Sequence, residues 1–409
     1  MNRLFYGWIV VAVAVVATLI AAGNRSVPGA LIQPLHESTG WAIQSISFAT
    51  AIGLVLFGLG APLSGYLMDR FGPRRITLFG LGLMTLSMAL SALMTHIWQL
   101  NLVWGVLSGV ATGVVGGVLG ATVANRWFIR HRGLVTGIFG AATSAGQLIF
   151  IPALVFWASG LGWREASWIM AAISLLALIP VGLFMKDSPA EMGLRALGAA
   201  PGSAPMKITA DTGIMHRALR SPTFWLLAAT FFICGATSNG LIGVHFIPYA
   251  ASCGLTPTTA SGILALMGAL NFVGTLASGY LTDRYDPRVL LSLYYGFRGL
   301  SLLFLPFATT PETLLVFAVV FGLDYIATVP PTVALVADNF GRQNVGTVYG
   351  WVFAAHQLGA AAAAWAGGAA RDALGEYNLA FLLAGVIGIA AALLSLGIHR
   401  PSKLAAAQG

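Results

Sequence analysis

Apolar residues fill stretches of about 20 along almost the whole chain, separated by short clusters of Gly, Pro and charge. Such stretches read as membrane-spanning helices, because a helix rises ~1.5 Å per residue and a bilayer's hydrocarbon core is ~30 Å thick. The pattern predicts spans near 6–32, 43–67, 76–95, 99–124, 134–158, 165–185, 223–249, 259–281, 289–307, 312–336, 346–368 and 377–398. The one long polar interruption lies at 187–222, and it divides the chain into six helices plus six. The expected fold is therefore an all-α membrane protein of twelve transmembrane helices. Its six-helix bundles occupy 1–186 and 223–409, with 187–222 as a cytoplasmic linker and a short tail after Arg400. The first run, Tyr6 to Ala22, lacks a small-residue cleavage site and continues past Arg25, so it reads as a retained helix.

Composition removes the soluble alternatives. Only 8% of the 409 residues are charged and 57% are hydrophobic. That charge is about a third of the ~25% typical of a soluble domain, too little to cover a soluble surface of this size. With the N-terminus in the cytoplasm, 17 of the 21 basic residues fall in cytoplasmic loops or tails. Arg164 and Arg371 then lie outside and Arg25 and Arg298 lie within helices, which the positive-inside rule favours over the reverse. A multi-pass inner-membrane protein with both termini cytoplasmic is expected, with the lipid bilayer as partner. The net charge of +8 is a topology signal and calls for no nucleic acid. Cys234 and Cys253 have no metal-ligand spacing, and no phosphate-binding Gly-x-x-x-x-Gly-Lys-Ser/Thr occurs, so no cofactor and no metal are expected. No nucleophile, base and orienting residue can be assembled, and an enzyme is not expected.

The halves repeat one another. Shifted by 214 residues, the stretch Ser64 to Arg74 aligns with Ser278 to Arg288; shifted by 213, Val123 to Gly137 aligns with Val336 to Gly350. Pro34 and Gly40 fall on Pro248 and Gly254. Two six-helix units in parallel orientation form a recurring transporter design.

The loop after the second span reads Gly65-x-Leu67-x-Asp69-Arg70-x-Gly72-x-Arg74-Arg75, with a degenerate copy around Asp283 and Arg284. This resembles the signature loop of the major facilitator superfamily at every defining position. The resemblance covers nearly the whole chain and implies the major facilitator fold and monomeric function. It also implies a gating role for Asp69, Arg70, Arg74, Arg75, Asp283 and Arg284, in which Asp69 caps a helix N-terminus or pairs with an Arg across the seam between the halves. Within that superfamily three short motifs resemble the monocarboxylate-transporter and oxalate/formate-antiporter branch. They are Tyr6-Gly7-Trp8, the run Trp127 to Leu134, and Asp187-Ser-Pro-Ala-Glu-Met-Gly-Leu194. That resemblance implies small organic anions as substrates, often moved with protons. The chain departs from the branch in the eighth span, where Thr259 to Tyr280 holds no Arg or Lys and only the amide of Asn271.

Ionisable groups at membrane depth are costly and mark candidate sites. Arg298 and Asp324 fall near the midplane of the ninth and tenth spans, as a packing ion pair or as a substrate and proton site in which Asp324 accepts a proton or positions a cationic group. Arg25, in the outer third of the first span on a stripe with Thr18 and Ala22, is the candidate for a substrate's anionic group; a comparable Lys is implied by the branch resemblance, and snorkelling to headgroups is the other reading. Asn239 is its neutral repeat-mate. His356 lies mid-depth in the eleventh span, with Ser144 and Gln147 at matching depth in the fifth; either set suits substrate contact, and His356 also proton transfer. His245 sits nearer the outer end of the seventh span, as gate or entrance lining, and Tyr325 offers an aromatic wall. Pro330-Pro331 should interrupt the tenth span and free backbone carbonyls.

The expected function is secondary active transport of a small organic anion by alternating access, proton-coupled or exchanging. A carrier or efflux pump for a larger amphipathic or neutral solute is the first alternative, kept open by the missing Arg of the eighth span. A non-transporting membrane sensor is the second.

Overall fold

The computed structural model describes residues 5–199, 211 and 213–399. Among these residues twelve long helices carry the fold: α1 (Gly7–Thr39), α2 (Ile43–Phe71), α3 (Pro73–Ala92), α4 (Ile97–Trp127), α5 (Arg132–Gly160), α6 (Trp163–Phe184), α7 (Pro222–Ser252), α8 (Pro257–Thr282), α9 (Pro287–Phe304), α10 (Pro311–Phe340), α11 (Val345–Leu374) and α12 (Asn378–Leu396). Among the described residues eleven of them are long and apolar enough to cross a bilayer by length and composition alone. The twelfth, α11, is one of the longest but is diluted by His356 and Gln357 and by many Ala and Gly.

Starts and stops follow local chemistry. Pro opens α3, α7, α8, α9 and α10 at its first turn, where the missing N–H costs no bond. Helix α1 runs past the expected end at 32, through Pro28 and Pro34, and stops at Gly40 in the left-handed conformation (φ 72°). That extension puts Arg25 just past the middle of the helix.

Two helices are broken at related points of the repeat. In α4 the α-helical turns stop at Val115 and resume at Leu119, around Gly116-Gly117; in α10 they stop at Asp324 and resume at Val329, ahead of Pro330-Pro331. Wider π-helical turns occupy Asn101–Ser108 of α4 and Ala236–Ile242 of α7. Such segments are rare and gather at functional sites.

The helices pack into two compact units. One comprises 5–130 and 142–199 with Val345–Gly350, the other His131–Ala141, Asp211–Asn344 and 351–399. The first turns of α5 and α11 thus each pack with the opposite sequence half. Within the first unit α2 lies on α4 and α3 on α6; the repeat-related pairs in the second are α8 on α10 and α9 on α12. Lipid tails are as apolar as Leu, so these seams depend on close van der Waals fit. A Cβ on Gly109 would lie 2.7 Å from the carbonyl oxygen of Gly53, which explains the Gly-rich face of α4. Large apolar side chains such as Phe156, Leu393 and Trp365 stay exposed on the outer faces, as lipid-facing residues do.

Candidate functional site

The signature loop is built around one buried carboxylate. Asp69, 5% exposed near the end of α2, accepts hydrogen bonds from the backbone N–H of Thr347 (2.8 Å) and from its hydroxyl (2.9 Å), in the first turn of α11. Its Arg partner comes from the same half of the chain and not from across the seam: Arg126 at the end of α4 lies 3.6 Å from it and donates to the carbonyl of Met68 at 2.7 Å. A carboxylate at a helix N-terminus meets unpaired N–H groups and the positive end of the dipole. Close approach needs glycine on both sides, since a Cβ on Gly65 would land on the carbonyl oxygen of Gly346.

The second copy repeats this arrangement on the other helix. Asp283 accepts from the N–H groups of Gly133 (2.8 Å) and Leu134 (2.9 Å) in the first turn of α5, and a Cβ on Gly279 would collide with the carbonyl of Gly133. Gly133 and Leu134 are the repeat-mates of Gly346 and Thr347. One asymmetry stands out: Asn339 occupies the place of Arg126, so Asp283 has no equivalent guanidinium behind it and is exposed.

The remaining loop cations divide. The Arg74 N–H donates to Asp187 Oδ1 at 2.7 Å, so the first residue of the linker caps α3, and its guanidinium donates to the carbonyl of Gly182. Arg70 bonds the Tyr66 hydroxyl and lies over Phe71; Arg284 stacks 3.4 Å above Tyr280; Arg75 is exposed. Two branch motifs also meet, Tyr6 against Trp127 and Trp8 against Phe128, with ring centroids 6.1 and 5.0 Å apart.

In the second unit, Arg298, Asp324, Tyr325 and Asn271 converge on the break in α10. Arg298, fully buried, donates through Nε to Asp324 Oδ2 at 2.7 Å, and through Nη2 to the backbone carbonyls of Asp324 (2.7 Å) and Tyr325 (3.2 Å). Its Nη1 reaches Cys234 Sγ at 2.9 Å. Asn271 Oδ1 accepts from the N–H of Ile326 at 3.0 Å, just inside the break. Pro331 has no N–H for the carbonyl of Ala327, and the Ser278 hydroxyl donates to it at 2.5 Å. The freed backbone is thus satisfied by side chains of α8 and α9. Arg298 combines counter-charge with helix cap.

The other candidates are spread over α5, α7 and α11. His356 packs between Phe231 and Phe353, with Nδ1 3.2 Å from Gln357 Oε1. The His245 ring nitrogen Nε2 lies 2.9 Å from the carbonyl of Ala364, which ties α7 to α11. Asn239 is exposed in the π-helical turn of α7, one turn before Gly243, where a Cβ would sit 3.1 Å from the Tyr325 hydroxyl. Ser144 is buried and Gln147 half-buried on α5.

In the first unit, Arg25 lies over the Phe57 ring, 5.1 Å from its centroid. It lines a small cavity of about 30 Å3 with Asn24, Thr50, Trp104, Ser108 and Thr112 from α1, α2 and α4. Among the described residues no cluster of His, Cys, Asp or Glu suited to a metal ion is present.

The sequence matches the family model for the Major Facilitator Superfamily over residues 14–244 and 232–408. The chain belongs to that superfamily. It is a multi-pass membrane transporter for a small molecule, of the twelve-helix major facilitator fold. It is similar to the uncharacterized MFS-type transporter YcxA of Bacillus subtilis (strain 168), 26% identical over 82% of this chain and 81% of the relative. It is also similar to monocarboxylate transporter 13 of Rattus norvegicus, 25% identical over 94% of this chain and 87% of the relative. Among solved structures it resembles the proton:xylose symporter XylE bound to 6-bromo-6-deoxy-D-glucose, with a TM-score of 0.73 at 17% identity, over 97% of this transporter and 96% of that chain.

Several residues of these arrangements carry no signal in one sequence. Arg126 and Thr347 lie 57 and 278 positions from Asp69 and sit in segments that read as basic loop and helix start. Arg126 had one available clue, its place at the cytoplasmic end of a span. Cys234, Ser278 and Asn24 look like ordinary small or polar packing residues.

Proposed function

We propose that this transporter moves a small organic anion by alternating access, coupled to protons or in exchange for a second anion. The observation that carries the reading is Arg25. It is a cation just past the middle of an apolar helix, half-buried against Phe57 and bordering a small cavity between α1, α2 and α4 instead of reaching a helix end. The likeness to monocarboxylate transporter 13 supports the anion class. Asp324, backed by Arg298, is the proton-accepting group, and His356 on α11 assists. Asn239, Tyr325 and Gln147 contact the substrate. Asn271 and Arg298 hold the break in α10 from which Asp324 and Tyr325 project.

The two Asp caps act as gates. While Asp69 holds the first turn of α11 and Asp283 that of α5, each of these helices remains tied at its start; exchanging the caps for water releases them. Arg70, Arg74, Arg75 and Arg284 steady the loops that carry the two carboxylates, and His245 fixes the outer part of α7. The protein functions as a monomer in the cell inner membrane with both termini in the cytoplasm. Its functional halves are 1–186 and 223–409, joined by the linker 187–222.

Uptake of labelled lactate and pyruvate into proteoliposomes under an imposed pH gradient tests this reading. Arg25→Ala is expected to abolish anion affinity while leaving insertion and yield intact; unchanged affinity refutes the anion site. The double variant Arg298→Met/Asp324→Asn, which leaves no lone charge, is expected to lose the pH response. A pH response that survives in it removes Asp324 from the coupling role.

A further inference from the structure

The first residues of the linker close on the arginine behind Asp69. Asp187 Oδ1 accepts the backbone N–H of Arg74 at 2.7 Å, which fixes the residue over the start of α3, and its own carbonyl accepts from Arg126 Nη1 at 3.5 Å. A Cβ on Gly72 would collide with the Asp187 carboxyl, so the fit is close. Ser188 and Pro189 are buried, and after one tight helical turn at Pro189–Met192 the chain reverses at Gly193 (φ 65°). A second anchor follows at Leu197. Its N–H donates to the carbonyl of Trp127 at 2.9 Å, and its carbonyl accepts from the N–H groups of Ile129 (2.9 Å) and Arg130 (3.0 Å), a parallel bridge to the residues that follow Arg126. The linker thus grips the side chain of Arg126 and the backbone just after it.

Distance decides what that grip does. Arg126 Nη2 donates to the Met68 carbonyl at 2.7 Å but stays 3.6 Å from Asp69 Oδ1, beyond hydrogen-bond range. Asp69 Oδ2 is left to the N–H and hydroxyl of Thr347. A guanidinium is a planar fork that matches both oxygens of a carboxylate. Released from the linker, it would turn onto both and take Asp69 from Thr347; held between the carbonyls of Met68 and Asp187, it supplies counter-charge without competing. The contact recurs in the repeat. Asn339, at the place of Arg126, donates to the carbonyl of His399, in the chain just after α12 as Asp187 is just after α6.

We infer that the linker tunes the Asp69 gate: Asp187 and Leu197 are positioning residues that hold Arg126 short of Asp69, so that the cap on α11 stays made. The inference rests on the reading of Asp69 as a gate and adds the element that controls it. Thr347 is among the first residues of α11, whose N–H groups have no partner within their own helix, so protection of its amide reports the Asp69 bond.

Hydrogen–deuterium exchange of the full-length protein in nanodiscs, read by mass spectrometry on the peptide containing Thr347, tests it. Asp187→Ala removes the acceptor of the Arg74 N–H. Gly198→Ala forces a side chain into a left-handed position (φ 91°), with its Cβ 2.7 Å from that of Arg130. Each should speed exchange of that peptide about fivefold or more. Asp187→Asn keeps an acceptor oxygen in place and should stay within about twofold of the unaltered protein. Peptides of α12 should exchange as before in all three, which separates this effect from a general loss of packing; should Asp187→Ala fail to fold, Gly198→Ala carries the comparison. In an Arg126→Met background neither change should add to the exchange, because the competing guanidinium is gone. Unchanged Thr347 protection in both linker variants, Asp187→Asn behaving as Asp187→Ala, or linker effects undiminished without Arg126 overturn the inference and leave the gate standing. Exchange at Thr347 unaltered by Asp69→Ala overturns the gate reading and the inference with it.

Discussion

Removing one partner of the Arg298–Asp324 pair should do far more damage than removing both. Arg298 is 0% exposed and its Nε lies 2.7 Å from Asp324 Oδ2, while Nη2 also serves two carbonyls at the break in α10. Asp324→Asn leaves a guanidinium that cannot shed its proton, buried without its counter-charge, and breaking such a pair costs about 3–5 kcal/mol. Arg298→Met leaves a carboxyl that can become neutral by taking up a proton, but strips donors from the two carbonyls; about 2–4 kcal/mol follows from those losses. The double variant Arg298→Met/Asp324→Asn has no stranded charge and retains only the loss at the carbonyls, about 1–3 kcal/mol. It should therefore be more stable than Asp324→Asn alone. Reversible unfolding in mixed micelles, titrated with SDS and read by tryptophan fluorescence, measures all four corners of the cycle. Costs that simply add, with the double variant as unstable as the sum of the singles, would refute this account of the pair.

Ser278→Ala should cost about 1–3 kcal/mol, because the carbonyl of Ala327 loses its donor; adding Pro331→Ala, which supplies an N–H, should recover part of it in the same SDS titration. Asp69→Asn strands the Arg126 guanidinium, 3% exposed, and weakens the cap on α11, so a Thr347→Cys thiol, in a background lacking Cys234 and Cys253, should be alkylated several-fold faster than with Asp69 intact. The matching Asp283→Asn change, with no Arg behind it, should have the smaller effect on alkylation of a Leu134→Cys thiol, and equal effects would contradict the asymmetry of the two caps. Arg342, in the loop before α11, is held down to about 10 by burial first and by the neighbouring Arg132 second, with Asp338 pulling the other way. Its charged form is thus penalised by folding at neutral pH, a penalty present below the folded value and relieved as pH rises through it towards the ordinary arginine range. Arg342→Gln should accordingly stabilise the protein by about 1 kcal/mol at pH 7, after discounting for solvent screening. An unchanged or lowered unfolding midpoint would count against that reading.

Much of the architecture is legible in the chain because the forces that set it are local or periodic. A run of apolar residues is costly to leave in water whatever its neighbours, so the spans appear from hydropathy alone, within a few residues of the helix ends except at the C-terminal ends of α1 and α11, which run on to Thr39 and Leu374 past the expected 32 and 368. The Pro-Pro step foretells a broken α10 because a missing N–H is a covalent fact. Helix α1 is longer than its apolar run because Pro34 and the polar turn after it remain compatible with helix outside the hydrocarbon, a question hydropathy does not address.

The duplicated Asp-Arg loops, the scarcity of charge and the depth of Arg298 and Asp324 are likewise legible in the chain, since each depends only on counting along it, whereas the place of Arg25 along α1 waited on the true length of that helix. Which groups those charges meet was decided by tertiary structure. Asp69 with Arg126 and Thr347, Asp283 with the first turn of α5, and Arg298 with Cys234 and the carbonyls of α10 all depend on how each helix is rotated and how closely its neighbour approaches. A hydrogen bond forms or fails within a few tenths of an ångström. Hydrophobic periodicity specifies a face and a depth, and leaves that last distance to the packing of glycines and small side chains between helices.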